Sequence, residues 1–432
     1  MNPKNLALFA VVFAMLVLVG LLQSWSVALT ILNLCLISAI MSLGVNVQWG
    51  YAGLFNFGAM GFVALGGVAA VIVSMPPVGE AWAAGGVRVT AALLVGAGTI
   101  VGSIYTWKSL QPGRKRWMIL IGMAGTGFFL FRFLFDPAVT AIENVNPAAT
   151  GYLGGLGLPV LLAWPVGGLL AAGAAWVVGK TALGLRSDYL AIATFGISEI
   201  IIVVIKNEDW LTRGVKNVIG LPRPVAYEVD LQKTDAFLTW APRLGMDPVE
   251  LSSIFVKLSY AILFTLVLVV IVWLSQKALA SPWGRMMRAI RDNETAAGAM
   301  GKNVTARHLQ VFILGSAICG VAGAMLTTLD GQLTPGSYQP LRFTFLIWVM
   351  VIVGGSGNNW GSILGGFVIW FLWVEVEPVG RWLMDTVTAD LPEGSALRLH
   401  LVNAAAHMRL VVMGVILLLV LRFFPRGLIP GK

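Results

Sequence analysis

The sequence predicts an all-α, polytopic membrane protein with about ten to twelve transmembrane helices, and three observations predict it. Apolar residues fill 58% of the 432 positions and charged residues only 11%, where soluble domains carry ~25%. Runs of ~20 mostly apolar residues, long enough to cross a ~30 Å hydrocarbon core, recur along the whole chain. The runs are continuous rather than alternating, which argues against a barrel. In lipid that leaves helices to satisfy the backbone, and the 50 glycines suit close helix packing through small-residue contacts.

By length, about twelve apolar segments follow in order: approximately 5–22, 27–49, 53–74, 87–107, 117–135, 157–178, 188–206, 253–275, 309–329, 343–355, 361–377 and 407–424. The first has only Lys4 ahead of it and no clear cleavage site before Gln23, so it reads as a retained helix rather than a signal peptide. The tenth and eleventh are short and flank Gly354–Gly361, which leaves open a broken or re-entrant pair. The formal charge of +9 is explained by the positive-inside rule rather than by nucleic acid. Lys4, Lys108–Arg116, Lys180, Arg186, Lys277–Arg307, Arg422, Arg426 and Lys432 fall on one side. Most acids, from Glu80, Asp136 and Glu143 through Glu228, Asp330 and Asp385 to Glu393, fall on the other. Both termini are therefore expected in the cytoplasm. Cys35 and Cys319 lie in apolar runs with no metal-ligand spacing, so neither a disulfide nor a metal is expected.

The loop 207–252 is long, mixed in charge and rich in proline; it reads either as an outer docking surface or as a solvated connector. The loop 276–307 is the most basic of the polar stretches. Within it, Ser281–Gly301 carries Arg285, Arg288 and Arg291, then Glu294. Pro282 suits a first helical turn, Asn293 can cap a second turn, and Gly301 suits a left-handed stop. The residues alone allow two readings: an element that docks a partner, or an anchor for anionic lipid.

The pattern Thr295-Ala296-Ala297, three residues, Gly301 resembles the EAA loop of ABC-importer permeases, with the acid one place early at Glu294. SPWGRMMRAIRDNETAAGAMGKNVT at 281–305, GLRSDYLAIATFGISEI at 184–200, NVQWGYAGLFNFGAMGF at 46–62 and VGGSGNNWGSILGG at 353–366 together resemble the M-type permease of branched-chain amino acid importers. That resemblance implies an ABC importer permease fold over 1–432 and no catalysis in this chain. It implies a second homologous permease, two cytoplasmic ATPase subunits gripping one coupling loop from each permease (here Arg285, Arg288, Arg291, Glu294, Ala296, Ala297 and Gly301), and a periplasmic substrate-binding protein. Urea, short amides or other amino acids use similar permeases. A stand-alone secondary transporter is the alternative from another class, and it would need more membrane carboxylates than Glu199. The family has a short loop where this chain has 75–156, an insert with two extra apolar segments.

Inside the spans, Asn33, Ser42, Asn46, Gln48 and Asn56 are polar residues at or near a glycine-rich interruption. A broken helix at membrane depth must be covered by protein or line a cavity, so Asn46, Gln48 and Asn56 are candidates for a path or hinge, or simply a tight turn. Glu199 lies eleven residues into its run from Asp188, roughly 16 Å along the axis. An ionisable group there is expensive and points to function; with Thr194 it is placed on the path or a gate, with a structural bond as the plainer reading. Gly179-Lys180-Thr181 looks like the end of a P-loop, but Ala174 replaces the required glycine and a membrane helix leads in, so no nucleotide site or other cofactor is expected.

Overall fold

The computed structural model describes residues 3–392 and 395–431; Glu393 and Lys432 lie outside them. Among the described residues, ten helices are long and apolar enough to cross a membrane, and Ala59–Ser74 and Pro340–Gly354 are shorter apolar helices. The chain is an all-α, multi-pass membrane protein.

The bundle is built around α2 (Trp25–Val45), α3 (Ala59–Ser74), α6 (Ala163–Ala182) and α11 (Val304–Asp330). α11 packs on the other three. Small residues bring them close: a Cβ on Gly66 would run into Gly320 O, and one on Gly323 into Val63 O. Dispersion between touching backbones, which lipid cannot replace, is what holds such seams. Around this core lie α1 (Pro3–Leu22), α7 (Ser187–Asn207), α8 (Pro248–Ala280), α12 (Pro340–Gly354), α13 (Asn359–Val387) and α15 (Met408–Phe423), the last preceded by the short α14 (Ala396–Ala404).

α12 and α13 pack antiparallel, Gly365 against Met350 O and Gly354 against Gly361 O. Gly354, the last residue of α12, meets Ile429 of the C-terminal tail through Ile429 N–H donating to Gly354 O (2.9 Å). Pro340 follows a tight turn at the opposite end, next to Gln332–Leu333. At 15 residues, α12 is only about 23 Å long. The expected span 53–74 is also shorter than its apolar run. Residues 53–58 are not helical: Gly53 adopts φ +70°, and regular helix resumes only at Ala59.

The start of α1 and the stretch up to Pro430 gather at one end, with the 281–303 loop. Phe9 meets Trp360 edge-on at 6.2 Å, and Arg291 reaches Gly50 there. At the other end, Val218–Ile219 pairs antiparallel with Gln332–Leu333, and Gln232 Nε2 donates to Ser252 Oγ (2.8 Å). The 207–252 stretch is thereby laid over the bundle as short helices and turns.

The extra apolar segments form a hairpin of α4 (Val87–Ser109) and α5 (Arg114–Glu143). The two helices pack mainly on each other. Only its base joins the bundle, through Ala81, Val89, Ala138 and Ile142 against Leu153 and Trp210. Further along, large side chains such as Phe129 and Phe133 are exposed.

Candidate functional site

The basic loop folds into α9 (Pro282–Asp292) and α10 (Glu294–Ala299). Pro282 opens α9, and Asn293 Oδ1 accepts from Ala296 N–H (2.9 Å) to cap α10. Gly301 stops it at φ +77°. Met287 and Ile290 are buried, which presses one side of α9 into the bundle. The other side is polar. Among the described residues Arg285 donates only to Ala280 O (3.2 Å), while Glu294, Ala296 and Gly301 are exposed and Ala297 is buried. Arg288 lines a shallow cleft of about 320 Å3 with Tyr51 and Asn359.

Arg291 differs from its neighbours. Its Nη1 donates to Gly50 O at 2.8 Å, while Nε and Nη2 hold Asp292 Oδ1 at 3.1 and 3.0 Å. The guanidinium thus bridges α9 to the place where α2 ends.

α2 ends in a π-turn, Asn46–Gly50, with wider spacing than an α-helix. The side chains of this turn then replace backbone partners. Asn46 Nδ2 donates to Asn359 Oδ1 (3.2 Å), and Asn46 Oδ1 accepts from Gly357 N–H (2.9 Å). Gln48 Nε2 donates to Phe312 O (2.9 Å) and to Ser316 Oγ (3.1 Å). Asn56 Nδ2 donates to Gln48 Oε1 (2.9 Å), and Asn56 Oδ1 accepts from Gly58 N–H (2.8 Å). All three side chains are buried. Thr194 joins the same cluster by accepting from Phe57 N–H (3.1 Å). Ser42 pairs with Ser362 nearby, whereas Asn33 lies elsewhere, donating to Lys257 O (2.9 Å).

Sequence reasoning did not single out Trp348 of α12. It stacks with Phe55 (5.7 Å, 8°) and Phe57 (4.7 Å, 9°) and touches Trp49 (4.8 Å). Its indole N–H donates to Asn56 O (3.1 Å). Four aromatic rings close the bundle beside the break. Nothing in the spacing of the FLIWVM run marks that tryptophan.

Glu199 stands apart from this cluster. Thr194 and Ser198 face α3, while Glu199 faces a groove of about 880 Å3 bounded by α7, α12, α13 and α15. Lys206, two turns on, lines the same groove, and neither makes an ion pair among the described residues. Across it, Arg409 holds Glu377 at 2.6 Å, and Arg342 lies over Trp373 at 4.8 Å. Leu346, Val349 and Met413 supply an apolar floor. Arg342, Glu377 and Arg409 were not legible as a set, because they come from three segments distant in sequence.

Comparison with known proteins agrees with this architecture. A profile of the family described as branched-chain amino acid transport system / permease component matches residues 27–152 and 138–421. The high-affinity branched-chain amino acid transport system permease protein LivM of Escherichia coli K12 is 29% identical over 235 residues, 53% of each chain. This chain thus spans about half the length of that relative. A probable branched-chain amino acid transport permease protein LivM of Methanocaldococcus jannaschii is 25% identical over 400 residues, 91% of this chain and 90% of that one. A fructose import permease protein, FrcC of Rhizobium meliloti, is 28% identical over 132 residues, 30% of this chain and 35% of that one. No solved structure matches. With the profile covering nearly the whole bundle, the chain belongs to the branched-chain amino acid transport system permease component family.

Proposed function

We propose that this chain is the permease subunit of an ATP-driven, binding-protein-dependent importer of branched-chain amino acids in a bacterial inner membrane, with both termini cytoplasmic. It pairs with a second homologous permease. Two cytoplasmic ATPase subunits grip one coupling loop from each permease, here α9 and α10 through Arg285, Arg288, Arg291, Glu294, Ala296, Ala297 and Gly301, and a periplasmic substrate-binding protein docks on 207–252. The observation that carries the reading is the Arg291–Gly50 hydrogen bond. It ties an exposed basic loop to a helix break closed by stacked aromatic rings, which is the connection a loop-driven gate needs. Asn46, Gln48, Asn56 and Thr194 brace that break. Glu199 and Lys206 line the way in from the periplasmic side, where their opposite charges suit the two ends of a zwitterion.

The experiment is purification of the tagged chain with its partners, followed by uptake of leucine, urea and short amides into proteoliposomes. Recovery of ATPases and a second permease, with ATP- and binding-protein-dependent leucine uptake, is expected. Uptake of leucine by the chain alone, without ATP, would make it a secondary transporter instead.

A further inference from the structure

Inside the bundle, next to the groove, lies a second cavity of about 270 Å3. Met41 of α2, Met60 of α3, Leu326 of α11, Ile347 of α12 and Trp370 of α13 form its walls. Its mouth is at the end away from the basic loop, where Asp330, Gln332 and Ser337 are exposed. Tyr338 and Leu346 line both this cavity and the groove, so these side chains form the wall between them.

Three residues that line the cavity carry polar groups with no protein partner among the described residues. Asp330 is the last residue of α11. A carboxylate at that end faces the negative pole of the helix dipole, and among the described residues no cation lies within ion-pair distance of it. Trp370 Nε1 and Thr334 Oγ1 are buried, and neither has a hydrogen-bond partner among the described residues. Buried polar groups are ordinarily paired, and an unpaired one calls for an explanation such as a ligand or water. No cation lines the cavity, so its field favours a positively charged group. Its size corresponds to about nine waters at ~30 Å3 each, which is also the scale of an aliphatic amino acid.

We propose that this cavity binds an aliphatic amino acid, with the ammonium at Asp330, the carboxylate at Trp370 Nε1 and Thr334 Oγ1, and the branched side chain among Met41, Met60, Leu326 and Ile347. The identity of the ligand rests on the import reading above. The site would lie within one permease subunit, with only Tyr338 and Leu346 between it and the outer groove. Selectivity would follow from the space: an aliphatic side chain fits the apolar walls, and an anion without an ammonium meets an unopposed carboxylate.

The test uses the transporter purified with its partner subunits in nanodiscs, without nucleotide or binding protein. Binding of L-leucine and of 4-methylpentanoate, which keeps the side chain and carboxylate but lacks the ammonium, is measured by equilibrium dialysis. Losing a charge-assisted bond weakens binding about tenfold to a hundredfold, so Asp330→Asn should weaken leucine by that factor and leave 4-methylpentanoate no weaker. Ile347→Trp should abolish leucine binding by filling the space. Wild-type leucine binding that Asp330→Asn leaves unchanged overturns the site, as does an absence of leucine binding to the wild type. If Ile347→Trp does not assemble, the leucine to 4-methylpentanoate ratio in Asp330→Asn decides alone. ATP-driven leucine uptake by the wild type is measured in parallel: its absence sinks the import reading, whereas normal uptake with an unshifted leucine affinity in Asp330→Asn sinks only the cavity.

Discussion

Arg291→Ala should uncouple ATP hydrolysis from transport without releasing the ATPase. The substitution removes the 2.8 Å bond from Nη1 to Gly50 O, which is the direct hydrogen bond from α9 to the end of α2. A hydrogen bond to a charged group contributes ~1.5–3 kcal/mol. The Arg291 side chain is 31% exposed, so solvent screens part of this and about 1–2 kcal/mol is the reasonable range. If that bond carries coupling between loop and gate, its loss lowers coupling about 5–30-fold. The assay is leucine imported per ATP hydrolysed in proteoliposomes, with the co-purified ATPase measured by gel. Arg285→Ala is the comparison: Arg285 shares the proposed ATPase contact, but among the described residues its side chain bonds only to Ala280 O, so its loss should leave the ratio of transport to hydrolysis unchanged. Arg291→Lys keeps the charge without the planar fork and should fall between. An unchanged ratio of transport to hydrolysis in Arg291→Ala would refute the link. A loss of ATPase from the complex would mean that Arg291 serves docking alone and not the link to Gly50.

Trp348→Ala removes a ring stacked with Phe55 and Phe57 and the donor to Asn56 O. A cost of ~3–5 kcal/mol is expected, read as a lower melting temperature together with passive leucine leak; a tight, equally stable variant would show that the rings do not seal the break. Glu199→Gln should reduce leucine uptake several-fold at unchanged expression, and equal uptake would leave Glu199 a wall residue. Shortening the hairpin to its base, with 93–133 replaced by a tight turn, should leave partners and uptake intact, since the buried contacts of the insert lie at 81–89 and 138–153. Loss of uptake with normal assembly would give the hairpin arms a role of their own.

The elements legible in the sequence were those fixed by local chemistry. Pro282, Asn293 and Gly301 start, cap and stop the helices of the basic loop where their backbone preferences place them. The long spans followed from apolar run length alone. What sequence could not give was three-dimensional adjacency. The run 53–74 reads as one apolar span, yet Gly53 at positive φ and the Asn56 side chain, which takes the Gly58 N–H, keep its first six residues out of the helix. Hydropathy does not register that, because Leu54, Phe55 and Phe57 are as apolar as any helix residue. The groove is hidden for a similar reason: Glu199, Arg342, Glu377 and Arg409 each look solitary in sequence, and only helix packing collects them.

Whether the buried amides at the break merely hold it or also serve transport can be separated by a double substitution. Gln48 Oε1 accepts from Asn56 Nδ2, and both residues are fully covered. Gln48→Met keeps the volume but strands the Asn56 donor, at about 1–3 kcal/mol. Asn56→Ser removes that donor while its hydroxyl can still accept from Gly58 N–H, as serine does in tight turns. The pair should therefore be coupled by ~0.5–3 kcal/mol, with the double variant recovering part of the stability that Gln48→Met loses. Thermal melting of the assembled transporter reads that term, and leucine uptake reads function. Recovery of both makes the amides a scaffold, and the assignment of Gln48 and Asn56 to the moving gate then fails. Recovered stability with uptake still low means that the polar pair is used in a second arrangement of the break, which an apolar side chain cannot form. Absence of any coupling would contradict the hydrogen bond itself.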